Sequence, residues 1–237
     1  MKTNNILVVP LNNQKRSVEV STYRRGVEKH CKWFLTIPNG IYVIKYRQLD
    51  MNDSIDCELA KENDFSKAHN SYIFCNLKVL FSRKQNCSGE KEKLLNDVYY
   101  PAMIGNIESS GTVCTGTSML RTTNRHGYES YLLKNHQKLE DLAKDVVANY
   151  WSSNFNDSIQ MFELQPEFEN FGLQKYAYFR KWQSMKDRRE ISDYIWEYPH
   201  FSNRPKMSHF RSQGWFLDDL LEDFYLSENS TSTILEI

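Results

Sequence analysis

The residues best suited to chemistry lie between Asn106 and Gly116, in the run Asn-Ile-Glu-Ser-Ser-Gly-Thr-Val-Cys-Thr-Gly. Ser109-Ser110-Gly111 has the composition of a tight turn, and Thr112-Val113-Cys114 suits a short extended segment. A thiol at the end of such a segment, beside Gly111 and Gly116, is open to a bulky acyl donor. Asn106, eight positions upstream, sits on the same predicted loop, and the turn can bring it back towards the thiol. A thiol nucleophile with a neutral donor for a developing oxyanion is what transfer through a thioester requires. Two other assignments fit the residue types. Cys114 can be a small buried apolar residue, as most free cysteines are. It can also be the nucleophile of a Cys–His hydrolase with His126 or His136, although no local signature supports that pairing.

Composition narrows the field. The chain has 237 residues, 40% hydrophobic and 25% charged, with 30 basic and 30 acidic residues and hence no formal net charge. This is the profile of a globular protein, without a general polyanion-binding surface, so no nucleic-acid partner is indicated. No apolar run approaches the length of a membrane span, and Ile6–Val9 is too short for a signal peptide. Cys31, Cys57, Cys75, Cys87 and Cys114 are odd in number and contain no CxxC pair, so a disulfide framework or zinc ribbon is not expected. The histidines His126, His136, His200 and His209 lack metal-ligand spacing. No phosphate-binding loop, nucleophile elbow or dinucleotide fingerprint is present. A cytoplasmic protein with no metal and no cofactor is the expectation.

The elements that would hold the loop are strands first and helices after, which predicts an α+β domain with an antiparallel sheet. Residues 6–9 read as a strand ending at Pro10, and alternation over 18–22 as a second, with Asn12-Asn13 as the turn between them. Arg24, Arg25, Lys29 and Lys32 read as a solvated basic loop. Residues 33–37 and 41–47 read as strands of a hairpin joined by Pro38-Asn39-Gly40. Residues 50–70 read as an irregular excursion. Residues 72–81 form the next strand, with Ile73, Cys75, Leu77 and Val79 facing the core and Tyr72, Phe74, Asn76 and Lys78 facing away. The second half of 84–97 reads as a short helix. Leu139, Leu142, Val146 and Tyr150 mark one face of a helix over 136–151. Helical patterns follow at 174–189, with Tyr178, Phe179 and Trp182 as anchors, and at 214–226, separated by an aromatic linker over 196–201. This divides the chain into a domain over 1–160, a helical, aromatic-rich extension over 161–228, and a disordered tail over 229–237.

The segment Asn106-Ile107-Glu108-Ser109-Ser110-Gly111-Thr112-Val113-Cys114 resembles the active-site segment of ubiquitin-conjugating enzymes, in which an Asn-Ile/Val, a turn ending in Gly, one residue and Ile/Val-Cys follow at this spacing. It looks closest to the prokaryotic branch called PRTRC system protein B. That branch continues with Val-Cys-x-Gly and a Trp-x-x-x-Phe-x-x-Ser segment, matched here by Cys114-Thr115-Gly116 and by Trp151, Phe155 and Ser158. The resemblance spans roughly residues 33–160. It implies a conjugating-enzyme-like (UBC-like) fold: a β-meander, the active-site loop, then flanking helices. It also implies a bacterial enzyme on which Cys114 takes a ubiquitin-like protein from a ThiF-like activating enzyme as a thioester and passes it to an acceptor. Asn106 would donate to the oxyanion or hold the loop, and a JAB-type peptidase would belong to the same system. The chain departs from the pattern at Ile104-Gly105, where the better-known enzymes have His-Pro, at Thr115, and in its long C-terminal region. An inactive variant that binds a ubiquitin-like partner without using Cys114 is the other function the resemblance implies.

Overall fold

The computed structural model describes residues 5–24, 27–62, 72–85, 93–94, 96–102, 104, 107, 111–113, 122–123, 129–130, 138–152, 155, 177–197, 217 and 232–234. The protein is α+β. Strands β1 (Asn5–Leu11), β4 (Gly40–Gln48), β5 (Tyr72–Ser82), β6 (Tyr99–Pro101) and β9 (Ser232–Ile234) form one sheet in the order β6-β5-β4-β1-β9. All neighbours are antiparallel except β1 and β9. Strands β2 (Gln14–Arg24) and β3 (Val27–Ile37) pair separately as a two-stranded ribbon. A short pair, β7 (Thr122–Thr123) with β8 (Glu129–Ser130), completes the strands described.

Pro38-Asn39-Gly40 does not close the hairpin expected of it. The sequence reading paired 33–37 with 41–47, but β3 pairs with β2, and β4 pairs with β1 and β5. Likewise Asn12-Asn13 does not join paired strands. The β1–β4 ladder ends at Leu11 opposite Gly40, and the β2–β3 ladder begins at Gln14 opposite Ile37. Both crossings lie side by side, so the two ladders are consecutive parts of one antiparallel ribbon, interrupted at 12–13 and 38–39. Asn39, 6% exposed, sews that interruption. Its Oδ1 accepts from the Asn13 amide at 2.7 Å, its own amide donates to Gln85 Oε1, and its Nδ2 donates to the Gln85 carbonyl, both at 2.9 Å. Gly40 is required there, since a Cβ would stand 2.0 Å from the Leu80 carbonyl oxygen.

The central strands are apolar on both faces, so they read as near-continuous hydrophobic runs. One face carries Leu7, Val9, Leu11, Tyr42, Ile44, Val79 and Phe81 into the main core. The other carries Ile6, Val8, Ile41, Val43 and Leu80 into a smaller cluster with Leu94, Tyr99 and Leu217. Strand β1 runs through Pro10 to Leu11, one residue beyond the stop expected at the proline. β9 pairs with Ile6–Val8 only, so Pro10 lies past that ladder. Strand β5 departs from simple alternation. The register slips between Lys45 and Tyr46, opposite Asn76 and Phe74, so Cys75 is the extra residue of a bulge and half-buried. It is not a core residue as alternation predicts. Phe74 and Lys78, expected to face away, are 2% and 4% exposed.

Helix α1 (Ser54–Glu62) occupies part of the stretch expected to be irregular. Asp53 caps it, with Oδ1 accepting from the Asp56 amide at 3.0 Å. Asp56 in turn holds Arg47 of β4 in a two-pronged bridge, Arg47 Nη2 to Oδ1 at 2.7 Å, and its other oxygen accepts from the Asp50 amide. Helix α2 (Leu139–Ser152) forms where the apolar stripe places it, burying Leu142, Ala143, Val146, Tyr150 and Trp151. Helical turns over 177–184 (α3) and Arg188–Glu197 (α4) follow, the second started by Asp187 Oδ1 accepting from the Glu190 amide. Tyr178, Phe179, Trp182, Ile191 and Ile195 belong to the same main core as the sheet. Trp33 stacks on Phe179 with centroids 5.9 Å apart, and Trp182 Nε1 donates to the Thr36 carbonyl at 2.9 Å. The disordered tail expected over 229–237 is corrected at Ser232–Ile234. This β-rich piece adds in parallel to the edge of β1, and the Thr233 side chain bonds the Tyr46 hydroxyl. Of the helix expected over 214–226, Leu217 is described and is helical; the rest, with Trp215, lies outside the described residues.

Candidate functional site

The loop singled out by sequence grows from the edge of β5. That edge is used twice. Strand β6 pairs with Leu80–Ser82, and the segment 111–113 then takes over at Leu77–Val79. Val79 is the handover point: its carbonyl accepts from the Ala102 amide at 3.0 Å, and its own amide donates to the Gly111 carbonyl at 3.0 Å. The Val113 amide donates to the Leu77 carbonyl at 2.7 Å. Between the two attachments the chain leaves through Ala102 and Ile104, and Ile107 forms an antiparallel bridge with Val113. The root of the loop is thereby closed, and Ile104, Ile107 and Val113 are buried in the main core.

Gly111 is what permits the return. Its φ of +80° lies in the left-handed region that side chains disfavour. An added Cβ would stand 2.5 Å from Leu80 Cδ2. Of the turn read from Ser109-Ser110-Gly111 and the extended segment read from Thr112-Val113-Cys114, Gly111 is left-handed and Thr112 and Val113 are bridged in extended pairing, while Ser109, Ser110 and Cys114 lie outside the described residues. Asn106 and Cys114 each adjoin a residue of the Ile107–Val113 bridge in sequence, and both lie outside the described residues.

Thr112 pairs with Lys78 across the edge. The flanking hydrogen bonds make this a non-hydrogen-bonded antiparallel pair, the kind in which opposing side chains approach most closely. Lys78 is 4% exposed, the one lysine in the buried set of described residues. Alternation assigns it to the outer face, and the signal that could have found it is its position inside the run Leu77 to Phe81, which is otherwise apolar.

The second motif of the sequence reading is built around rings. Tyr150, Trp151 and Phe155 meet edge to face, with Tyr150 and Phe155 centroids 5.3 Å apart. Phe155 is tied into the ribbon by its backbone, its amide donating to the Glu19 carbonyl and its carbonyl accepting from the Ser21 amide. Trp151 Nε1 donates to the Tyr42 hydroxyl at 2.6 Å, and the Arg16 guanidinium lies over the Trp151 ring at 5.4 Å. Burial pushes the Tyr42 and Tyr150 phenols well above the usual tyrosine range. Trp151 and Phe155 thus anchor α2 and the segment after it against the ribbon, and Ser158 lies outside the described residues.

The three described cysteines have structural surroundings. Cys57 Sγ donates to the Met51 carbonyl at 2.9 Å, Cys31 packs against the main core, and Cys75 occupies the bulge. Cys87, His126, His136, His200 and His209 lie outside the described residues, so the Cys–His pairing does too. His30 faces Glu19 at 3.6 Å on the ribbon. Among the described residues no group of three or more His, Cys, Asp or Glu side chains could hold a metal ion, and no helix is long and apolar enough to cross a membrane. Compared with protein-family models, characterised proteins and solved structures, the chain matches none.

Proposed function

We propose that the protein carries a ubiquitin-like protein as a thioester on Cys114, receives it from a ThiF-like activating enzyme and passes it to an acceptor. The observation that supports this reading is the closed root of the loop. The Ile107–Val113 bridge and the left-handed Gly111 return the chain within seven residues. Covalent geometry then bounds the distance between the Asn106 and Cys114 Cα atoms: two Cα steps plus one bridge, at most about 13 Å. The order of elements supports the reading as well. The consecutive sheet neighbours β4, β5 and β6 make a meander, the loop follows, and α2 comes after it.

In this reading the Cys114 thiolate attacks the carbonyl carbon of the modifier's C-terminal residue, held as a thioester on the activating enzyme. The new C–S bond forms as the old one breaks, and the released thiolate takes up the proton that Cys114 gave up. Transfer to an acceptor amine repeats the exchange with nitrogen as nucleophile. Asn106 donates to the oxyanion of the tetrahedral intermediate in that second step.

The test is adduct formation by the full chain with activating enzyme, ATP and a ubiquitin-like protein. A band destroyed by reducing agent is expected. Cys114→Ser should give a reduction-resistant oxyester or nothing, because a hydroxyl without a base is a poor nucleophile. Asn106→Ala should charge normally and discharge about 10²-fold more slowly. An adduct that persists in Cys114→Ala refutes the assignment. Binding of the ubiquitin-like protein with no adduct identifies a binding module instead. A JAB-type peptidase acting on the same modifier fits either outcome.

A further inference from the structure

We propose that Asn39-Gly40 is a modification site, open to spontaneous deamidation whenever the chain opens, shut while it is folded, and not accepted back by the fold once modified. This goes beyond the thioester reading and does not depend on it.

The chemistry starts from the sequence. Asn39-Gly40 is the one Asn-Gly pair in the chain. Glycine has no Cβ to shield its amide, and its backbone reaches conformations closed to other residues. In deamidation the Gly40 nitrogen attacks Asn39 Cγ. The new N–C bond closes a cyclic imide and the bond from Cγ to Nδ2 breaks. Nδ2 leaves as ammonia, with the proton that the Gly40 nitrogen gives up through solvent. Water then adds to one of the two imide carbonyls. One opening gives aspartate at position 39. The other gives isoaspartate, in which the main chain runs through the side-chain carbons. Water is the one co-reactant.

The fold removes the freedom that this attack needs. Asn39 is buried, and its side chain is pinned at both ends: Oδ1 accepts from the Asn13 amide at 2.7 Å and Nδ2 donates to the Gln85 carbonyl at 2.9 Å. Its carbonyl accepts from the Ser82 amide at 2.8 Å, which fixes the peptide group joining it to Gly40. Gly40 is held as closely. It begins β4 opposite Leu11 and Phe81, with the Leu80 carbonyl filling the space of a Cβ. Cγ reaches the Gly40 nitrogen only when these bonds break and water enters, so conversion proceeds through local or global opening.

The same bonds reject the product. Aspartate puts an acceptor oxygen in the place of Nδ2, facing the Gln85 carbonyl. The bonds named above all join Asn39 to neutral groups, so none of them compensates the new buried charge. Gln85 takes the loss directly. Its φ of +58° lies in the left-handed region, and its place is fixed by Asn39 at one end and by its amide donating to Ser82 Oγ at 2.9 Å. Isoaspartate lengthens the main chain between Ile37, which ends the β2–β3 ladder, and Gly40, which ends the β1–β4 ladder, so the two registers no longer meet.

The experiment incubates the full chain at mildly alkaline pH, in buffer and in guanidinium chloride, beside a synthetic peptide of residues 33–45. Asn39 is followed by the mass change of amide-to-acid conversion in the tryptic fragment 33–45. In guanidinium chloride the chain should convert at the rate of the peptide, and in buffer at least about tenfold more slowly. Conversion in buffer at the peptide's rate overturns the proposal, as does an unfolded chain in which Asn39 stays intact. A partly converted sample is then brought to the urea midpoint and given a brief protease pulse that digests unfolded chains. Half of the unconverted chains survive there, whereas a folding constant about fivefold weaker leaves about one in six, so the surviving fraction should be depleted of converted fragment about threefold or more. Survival of converted and unconverted chains in equal proportion overturns the proposal.

Discussion

Replacing Gly111 with alanine tests the loop's architecture at its tightest point. Two costs are added. An alanine at φ +80° pays about 1–2 kcal/mol for the left-handed backbone. Its Cβ, placed 2.5 Å from Leu80 Cδ2, displaces a side chain that is fully buried among Ile6, Val8, Ile41 and Val43, at a further cost of about 1–2 kcal/mol. Gly111→Ala should therefore lower stability by about 2–4 kcal/mol in urea unfolding followed by tryptophan fluorescence and circular dichroism. Leu80→Ala is itself costly, about 2–5 kcal/mol, but it empties the space the new methyl needs. In that background Gly111→Ala should cost the backbone share alone, leaving a coupling of about 1–2 kcal/mol between the two positions. An equal cost in both backgrounds would show that Leu80 does not limit the turn. A cost below about 0.5 kcal/mol in the unaltered background would mean that the turn is not left-handed at Gly111. The same variants, assayed for the Cys114 adduct, should charge more slowly in proportion to their loss of stability.

Three further outcomes follow from other parts of the molecule. Asp56→Ala strands the Arg47 guanidinium in a site where the pair is 13% and 0% exposed, and should cost about 3–5 kcal/mol, whereas Arg47→Met with Asp56→Leu should recover most of it; a double variant no more stable than the single would refute this. Burial raises the Tyr42, Tyr100 and Tyr150 phenols above the usual tyrosine range, so above about pH 10 the unfolded chain binds fewer protons than the folded one. Their contribution is complete below about pH 10 and falls by up to about 4 kcal/mol per pH unit above it, so tyrosinate absorbance should rise together with loss of circular dichroism; ionisation of all tyrosines in a still-folded chain would contradict the burial. A chain cut near residue 165 loses Tyr178, Phe179 and Trp182 from the main core and leaves Trp33 and Phe81 uncovered, so it should be recovered insoluble; a soluble fragment with unchanged melting would show that α3 and α4 are dispensable.

Much of the local structure was readable because single elements carry their own signals. The strands at 41–47 and 72–81 are rich in β-branched and aromatic residues, and α2 follows from its apolar stripe. Pairing was not readable. Pro38-Asn39-Gly40 is a turn sequence in either role, and nothing local says that β4 takes β1 as partner and leaves β3 to β2. Cys75 was assigned to the core by parity, and a one-residue bulge is enough to reverse parity. Helix α1 had a legible start in Asp53-Ser54, but its polar composition hid it. Around the candidate site, the turn at Gly111 and the extended pair Thr112-Val113 were read from composition. The burial of Lys78 was not, because it depends on a bridge formed more than thirty residues later in the chain. Asn106 and Cys114 rest on their motif.

The parallel addition of β9 to β1 has a consequence for the order of events during synthesis. Ile6 and Ser232 are neighbours in the sheet but more than two hundred residues apart in the chain. At about 5–20 residues per second, β1 waits roughly 11–45 s between its own emergence and the translation of its last partner. During that interval its apolar residues can be covered by β4 and the ribbon, yet its outer row of amides and carbonyls stays open. An open edge of this kind is where nascent chains pair with one another. Chaperone occupancy during translation, and the yield of soluble protein at different elongation rates, are therefore quantities that Ser232–Ile234 should govern.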